Sequence, residues 1–354
     1  MPRSPRALSA LVLGSAVVLS AALVAPAAHA DTQSFTGKKV RIHNLIGKAT
    51  IVRTTGSAFK VEVTRSGKDA AELEIRMEKD GDTEVLRILY EGDRFVYPAL
   101  GRGSNSSITV NSDGSFGGPF SLGKRQIRVT GSGSGTEMWA DLRIEMPVGG
   151  DLKLYNAIGK VAANDVSGEL DIDTASGDVE GIGVNGNVSV DVGSGDVELT
   201  RVEGTVSVDT GSGDVILEDI KGDMVDADTG SGNIEGSHLS CDQVAMDTGS
   251  GDISLNSVAV SKISCDTGSG SILVSVDGDL DGGNFDTGSG DVTLEVGPEL
   301  GAMLDIETGS GDIDIEAPHQ ATRNRRSEFR GTVGDGKGNV IIETGSGDVR
   351  VSAK

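Results

Sequence analysis

Cysteine is nearly absent from this chain, with two thiols in 354 residues, and aromatic residues make up only 3%. Glycine is abundant at 52 residues, and that pairing of many glycines with few aromatics marks disordered chains unless apolar residues recur regularly between the glycines. Here Val, Ile and Leu do recur, so the glycines act as punctuation between strands. Histidine is scarce: His43, His238 and His319 are scattered, with no metal-type pair and no Ser/His/Asp spacing, which leaves catalysis little to work with. Basic residues are outnumbered, 31 against 54 acids. Without residues 1–30, which hold Arg3 and Arg6 and no acid, the balance is 29 against 54, or −25. Nucleic acid and anionic lipid are disfavoured as partners, because each needs a positive patch. No apolar run follows Val24 that could span a bilayer, so no membrane insertion is expected after processing. The first thirty residues read as a signal peptide: Arg3 and Arg6, an apolar stretch from Ala7 to Val24 broken by Gly14, then Ala28-His29-Ala30 before Asp31. The protein is therefore expected to be exported, whether secreted, periplasmic or in the cell envelope.

What is present in quantity is one hexapeptide. It occurs as DTASGD at Asp173, DVGSGD at Asp191, DTGSGD at Asp209, Asp247 and Asp286, DTGSGN at Asp228, DTGSGS at Asp266, and ETGSGD at Glu307 and Glu343. Successive copies start 18, 18, 19, 19, 19, 20, 21 and 36 residues apart. A period near 20 residues means one small unit per repeat, unable to bury its apolar face alone and obliged to stack on its neighbours.

In NVSVDVGSGDVELTRV, from Asn187 to Val202, Val188 and Val190 alternate with Ser189 and Asp191, the period of a strand. Gly193-Ser194-Gly195 turns the chain, Val197 and Leu199 begin a second strand, and Val202 offers a third inward anchor before Gly204 turns it again. Two columns stay apolar throughout. The residue before the leading acid reads, in chain order, Val190, Val208, Ala227, Met246, Cys265, Phe285, Ile306 and Ile342; the residue six after it reads Val179, Val197, Val215, Ile234, Ile253, Ile272, Val292, Ile313 and Val349. Such columns suit the inside of a parallel stack. The fold class is all-β: a parallel β-solenoid, or β-helix, of about nine to ten coils of 18–21 residues, occupying residues 151–354. In this register Cys265 lies in the core and Cys241 in a connection, which favours buried thiols over a bridge.

Residues 31–150 form a β-rich amino-terminal region whose strands, around Lys60–Val63, Leu73–Met77, Ile108–Val110, Ile127–Val129 and Leu142–Met146, alternate as antiparallel sheet does. RIHNLIGKATI at Arg41–Ile51 echoes KLYNAIGKVAA at Lys153–Ala163, so this region can begin as a coil, leave and return. Gly101–Gly135 is expected to hold long exposed loops. The 36-residue gap contains a basic insertion at 317–339, expected as a loop, in which Arg323, Arg325, Arg326 and Arg330 are candidates for binding an anionic glycan or for latching onto the rod's own acids.

DTGS also surrounds the catalytic aspartate of pepsin-like proteases, but those need two aspartates sharing a proton, and coils of this length cannot form protease lobes. Calcium is the stronger metal reading. Each turn carries two acids, and stacking aligns Asp191, Asp209, Asp247 and Asp286 in one column and Asp196, Asp214, Asp252 and Asp291 in another. Oxygen-ligating cations would relieve their repulsion. Asn233 and Ser271 interrupt the second column, which fits aspartates that accept a backbone hydrogen bond within their own turn. The threonines at Thr174, Thr210, Thr229, Thr248, Thr267, Thr287, Thr308 and Thr344 read as a hydroxyl ladder in the turns.

The DTGSGDV repeats, the IEMPVGGDLKLYNAIGKV segment at Ile144–Val161 and the closing GDGKGNVIIETGSGDVRVS at Gly334–Ser352 resemble the bacterial "putative adhesin" β-strand-repeat family. The resemblance implies an exported β-solenoid with an adhesive or scaffolding role at the envelope and brings no catalytic residues. The leading expectation is a non-enzymatic solenoid whose partners are cell-surface or envelope components, protein or glycan, and which needs no cofactor. A calcium-stabilised structural module and a carbohydrate-active β-helix enzyme are the alternatives.

Overall fold

Alternation decides which side chains enter the core. Along the strand Val188–Val192 the three valines are buried and Ser189 and Asp191 exposed, and Val197–Glu203 continues the pattern after the glycine turn. The computed structural model describes residues 29–111, 116 and 124–354; the expected signal peptide lies almost wholly outside them. Gly204 returns the chain one rung along, so Val188 faces Leu170 on one side and Val206 on the other, while Val197 faces Val179 and Val215. All these pairings are parallel. They build two ladders: a first sheet that carries the leading acid of each hexapeptide and a second that carries the residue six positions later.

Each coil is named here by the residue at its leading-acid position. In space the order is His43, Tyr155, Asp173, Asp191, Asp209, Asp228, Asp247, Asp266, Asp286, Glu343 and Glu307. That makes eleven coils among the described residues, the nine hexapeptide coils plus two opening ones. The echo between Arg41–Ile51 and Lys153–Ala163 is a register match: Lys39–Ile46 pairs in parallel with Gly150–Ile158, and Ala49–Arg53 with Val161–Asn164. The intervening chain returns to the same stack, since Thr83–Leu89 lies parallel to Lys39–Ile46 and Trp139–Met146 parallel to Ala49–Arg53. Only beyond these strands does the polarity reverse, where Glu74–Asp80, Lys60–Ser66 and His29–Ser34 pair antiparallel. Of Gly101–Gly135, the described part includes the strands Asn105–Val110 and Arg125–Thr130, which form a hairpin.

Two features differ from the sequence expectation. The Glu343 coil, last in sequence, is not last in space. Its strand Gly338–Thr344 pairs with Gly282–Thr287 on one side and Ala302–Thr308 on the other, and Val349–Ala353 lies between Val292–Val296 and Ile313–Ile315. The inward column therefore runs Phe285, Ile342, Ile306. The second difference is the basic insertion, a hairpin of His319–Arg325 and Glu328–Val333 rather than a loop, whose inner strand pairs antiparallel with Ala302–Thr308. A parallel stack ends in an unpaired strand edge, and a reversed hairpin that buries Phe329 closes that edge.

A third corner bends six consecutive coils, from the Tyr155 coil to the Asp247 coil, at or within the second strand. Asp165, Gly183, Arg201, Asp219, His238 and Ser257 occupy it with φ between 50° and 69°, so the left-handed backbone recurs from coil to coil.

Candidate functional site

The outward side of the first sheet gathers most of the unusual chemistry. The leading acids stand in direct register, Asp173 beside Asp191, then Asp209, Asp228, Asp247, Asp266, Asp286, Glu343 and Glu307. Adjacent parallel strands bring these carboxylates to about 4.8 Å per rung. At the two ends cations answer nearby acids: Lys153 Nζ lies 2.6 Å from Asp171, and Arg330 lies 2.9 Å from Asp305 and 3.5 Å from Glu307. Between them Asp191, Asp209, Asp228, Asp247, Asp266 and Asp286 form no salt bridge among the described residues. The neighbouring outward row is mostly small, with Ser189, Ser207, Ala245, Ser264 and Asn284 beside Asp226. The result is a shallow acidic groove of about 350 Å³ at Asp209, Asp226, Asp228, Asp247 and Asp266. A larger recess of about 640 Å³ lies between Asp286, Glu307, Glu328 and Glu343.

Burial and crowding raise the proton affinity of several of these acids. Partial burial, then the charge of Asp191, pushes Asp173 up to about 6. Burial first and a flanking carboxylate second also raise Asp191, Asp228, Asp247 and Asp266. A carboxyl whose folded pKa lies above its unfolded value binds its proton more tightly when folded; its stabilising effect is complete below the unfolded value and is lost as pH rises through the folded one. Asp173→Asn is thus expected to be more stable than the parent at pH 7 by about 1 kcal/mol, after allowance for solvent screening. The gap should close as pH falls from about 6 to about 4. Paired thermal melts across that range test it, and a variant less stable than the parent at pH 7 would reject the assignment.

The second acid column has a different occupation. The backbone N–H of Asp214 donates to Asp196 Oδ1 (3.0 Å), that of Asn233 to Asp214 Oδ1 (2.8 Å), that of Asp252 to Asn233 Oδ1 (3.0 Å) and that of Ser271 to Asp252 Oδ1 (2.8 Å). Asp291 Oδ1 accepts from Asp348 (2.8 Å). Each side chain ties its coil to the next instead of closing its own turn, as the sequence led one to expect. Asn and Ser serve because one oxygen is all the rung needs. The threonine column likewise lies inside the rod: Thr229, Thr248, Thr267 and Thr287 donate to Gly213, Gly232, Gly251 and Gly270 carbonyls of the preceding coil at 2.8 to 3.0 Å. Of the calcium candidates, Asp191, Asp209, Asp247 and Asp286 are brought together in one row, and Asp196, Asp214, Asp252 and Asp291 in this hydrogen-bonded ladder. Among the described residues no three His, Cys, Asp or Glu side chains are arranged to hold a metal ion.

The candidate arginines are engaged within the end cap. Arg323 and Arg325 pair with Glu328, Arg326 with Asp312, and Arg330 with Asp305 and Glu307. Of the two anticipated uses, latching onto the rod's own acids is the one this geometry displays. Cys241 and Cys265 are both buried and free; Cys265 stacks between Met246 and Phe285, while Cys241 stacks between Gly222 and Val260.

Sequence reading missed the small outward row and the left-handed corner. The first was visible as the residue two before each leading acid. The second had no signal, because Asp, Arg, His and Ser share the position.

Residues 185–352 match the family model described as Toastrack DUF4097. No curated protein matches. Among solved structures, a "putative cell adhesion protein" from Clostridium sporogenes ATCC 15579 is 13% identical, with 93% of this chain and 100% of that one covered and a TM-score of 0.20. A "putative adhesin" from Bacteroides fragilis NCTC 9343 is 9% identical over 93% and 99%, with a TM-score of 0.33. A "putative lipid binding protein" from Parabacteroides distasonis ATCC 8503 is 14% identical over 90% and 96%, with a TM-score of 0.38. Residues 185–352, just under half of the chain, are thus similar to the Toastrack DUF4097 family.

Proposed function

We propose that this is a non-enzymatic, exported binding module that engages cationic groups on surface or envelope components through the outer face of its first sheet. The observation that carries the reading is the row of six register-matched aspartates without salt bridges, bordered by small side chains that leave the face open. The row opposes the fold electrostatically, a cost that a binding function would account for. An extended solenoid surface binds through many repeated contacts rather than through one pocket. The test compares the parent chain with a variant in which Asp191, Asp209, Asp228, Asp247, Asp266 and Asp286 are all asparagine. Retention on isolated envelope fractions and on polylysine-coated beads should fall at least about tenfold in the variant, and parent binding should weaken with salt. Equal retention of both proteins would sink the proposal.

The same row supports a second reading as a calcium-stabilised module, because divalent cations would relieve the repulsion between neighbouring carboxylates. A rise in melting temperature with calcium, absent with magnesium, would favour it; superimposable curves in calcium and chelator would remove it.

A further inference from the structure

The stacking order near the carboxyl terminus defines an acceptor slot. The Asp286 and Glu307 coils are consecutive in sequence, yet they stand two rungs apart, with the Glu343 coil between them. The connection from Val292–Val296 to Ala302–Thr308 is Gly297–Gly301, which must climb two rungs, about 10 Å. The connection from Val197–Glu203 to Val206–Thr210 needs only Gly204 and Thr205. The slot offers unpaired hydrogen-bonding edges from both neighbours, in both sheets. It also presents the Gly290 carbonyl, which accepts from Thr344 Oγ1 at 2.9 Å, and Thr308 Oγ1, which donates to the Gly347 carbonyl at 2.9 Å. An empty slot would leave these groups and two sheet edges unsatisfied.

The segment that fills it comes from one end of the chain. Everything after Pro318, the capping hairpin and the Glu343 coil together, joins the rest of the rod only through Glu316-Ala317-Pro318. Its long pairings are with the Asp286 and Glu307 coils alone. The donor coil and the outer wall of the slot share the sequence IETGSGD, at Ile306–Asp312 and Ile342–Asp348. During synthesis the Glu307 coil exists before its eventual neighbour does, so the slot is completed late.

We propose that this slot accepts residues 319–354 from a second copy of the chain, giving a reciprocal, tail-to-tail dimer with two-fold symmetry. Each donor makes the same hydrogen bonds and core contacts in either copy, so the exchange gives up no interface. The balance between closed monomer and exchanged dimer is set by concentration and by the hinge at 316–318. This inference is independent of the acidic-face proposal.

Thr293 and Arg350 are direct register partners across the slot on the outward side of the second sheet, within the reach of a disulfide. The full chain carrying Thr293→Cys and Arg350→Cys is refolded at micromolar and at hundredfold higher concentration, oxidised, and run on a non-reducing gel. The parent chain, whose two cysteines are buried, is the background. A second variant, Thr293→Cys with Asp314→Cys, links only if the coils stack in sequence order. The expected result is a link within one chain at low concentration and a linked dimer that becomes the major species at high concentration. Links confined to single chains at every concentration would overturn the exchange. A link in the Asp314 variant, with none in the Arg350 variant, would overturn the slot itself.

Discussion

Gly251→Ala is expected to cost about 3 kcal/mol or more. A Cβ at this position would lie 1.7 Å from the Gly232 carbonyl oxygen and 2.4 Å from its carbon, both backbone atoms of the adjacent coil. No rotamer relieves a backbone clash, so the two coils must part and the ladder bonds beside them must lengthen. The same approach recurs at Gly213, Gly270, Gly290 and Gly347, each within 2.0 Å of the preceding turn; this is why the second glycine of the GSG triplet is never replaced. The exposed neighbour Ser250 has no such constraint, and Ser250→Ala should be close to neutral. Denaturant unfolding of the two variants checks the contrast. Hydrogen exchange should show the loss of protection centred on the Asp228, Asp247 and Asp266 coils and fading toward the ends, because each coil touches only its neighbours. Equal stability of the two variants would mean the turns are not packed as described.

That glycine spacing, with the two apolar columns, made the solenoid legible before any coordinates. Val190 and Val197 are buried as the alternation requires, and so are Met246 and Cys265, which a pattern of β-branched residues alone would not have placed. The stacking order at the tail was not legible, and the reason is physical. Ile306–Asp312 and Ile342–Asp348 are the same seven residues, so local sequence cannot say which coil sits next to Phe285; the lengths of the connections and the capping hairpin decide it. The candidate site divides in a similar way. Outward alternation put Asp191 and Asp209 on one face, but an aspartate beside a turn can bond to its own turn or to the next coil. Only the stacked geometry shows that Asp196 and Asp214 do the latter. The arginines were legible as a basic cluster; their pairing with Asp305 and Asp312 on the rod's surface was not.

Asn156→Leu should be the most damaging substitution at the other end of the rod, costing about 3 to 5 kcal/mol as two or more buried polar groups lose their partners. Asn156 and its register partner Asn44 occupy, in the two opening coils, the inward place that threonine holds farther along. Asn156 Nδ2 donates to the Gly47 carbonyl at 2.9 Å and to that of Gly159 at 3.2 Å, while its Oδ1 accepts from Asn44 Nδ2 at 2.9 Å. Asn44 also donates to the Ala140 carbonyl, and its own Oδ1 accepts from the Tyr90 hydroxyl at 2.8 Å. This network binds the excursion that carries Tyr90 and Ala140 to the first coils. Beside it, Thr174 Oγ1 is buried without a partner, and the Gly159 carbonyl that its column would use receives Asn156. Thr248→Val supplies the comparison. Thr248 Oγ1 donates to the Gly232 carbonyl at 2.8 Å and accepts from the Gly251 N–H at 3.1 Å, so losing this one hydroxyl should cost about 2 kcal/mol. The double change of Asn44 and Asn156 to leucine should cost less than the sum of the single changes, since removing both members leaves fewer orphaned groups than removing either. Denaturant unfolding of the four-member cycle measures that coupling, and additive losses would show that the two asparagines act separately rather than as one network.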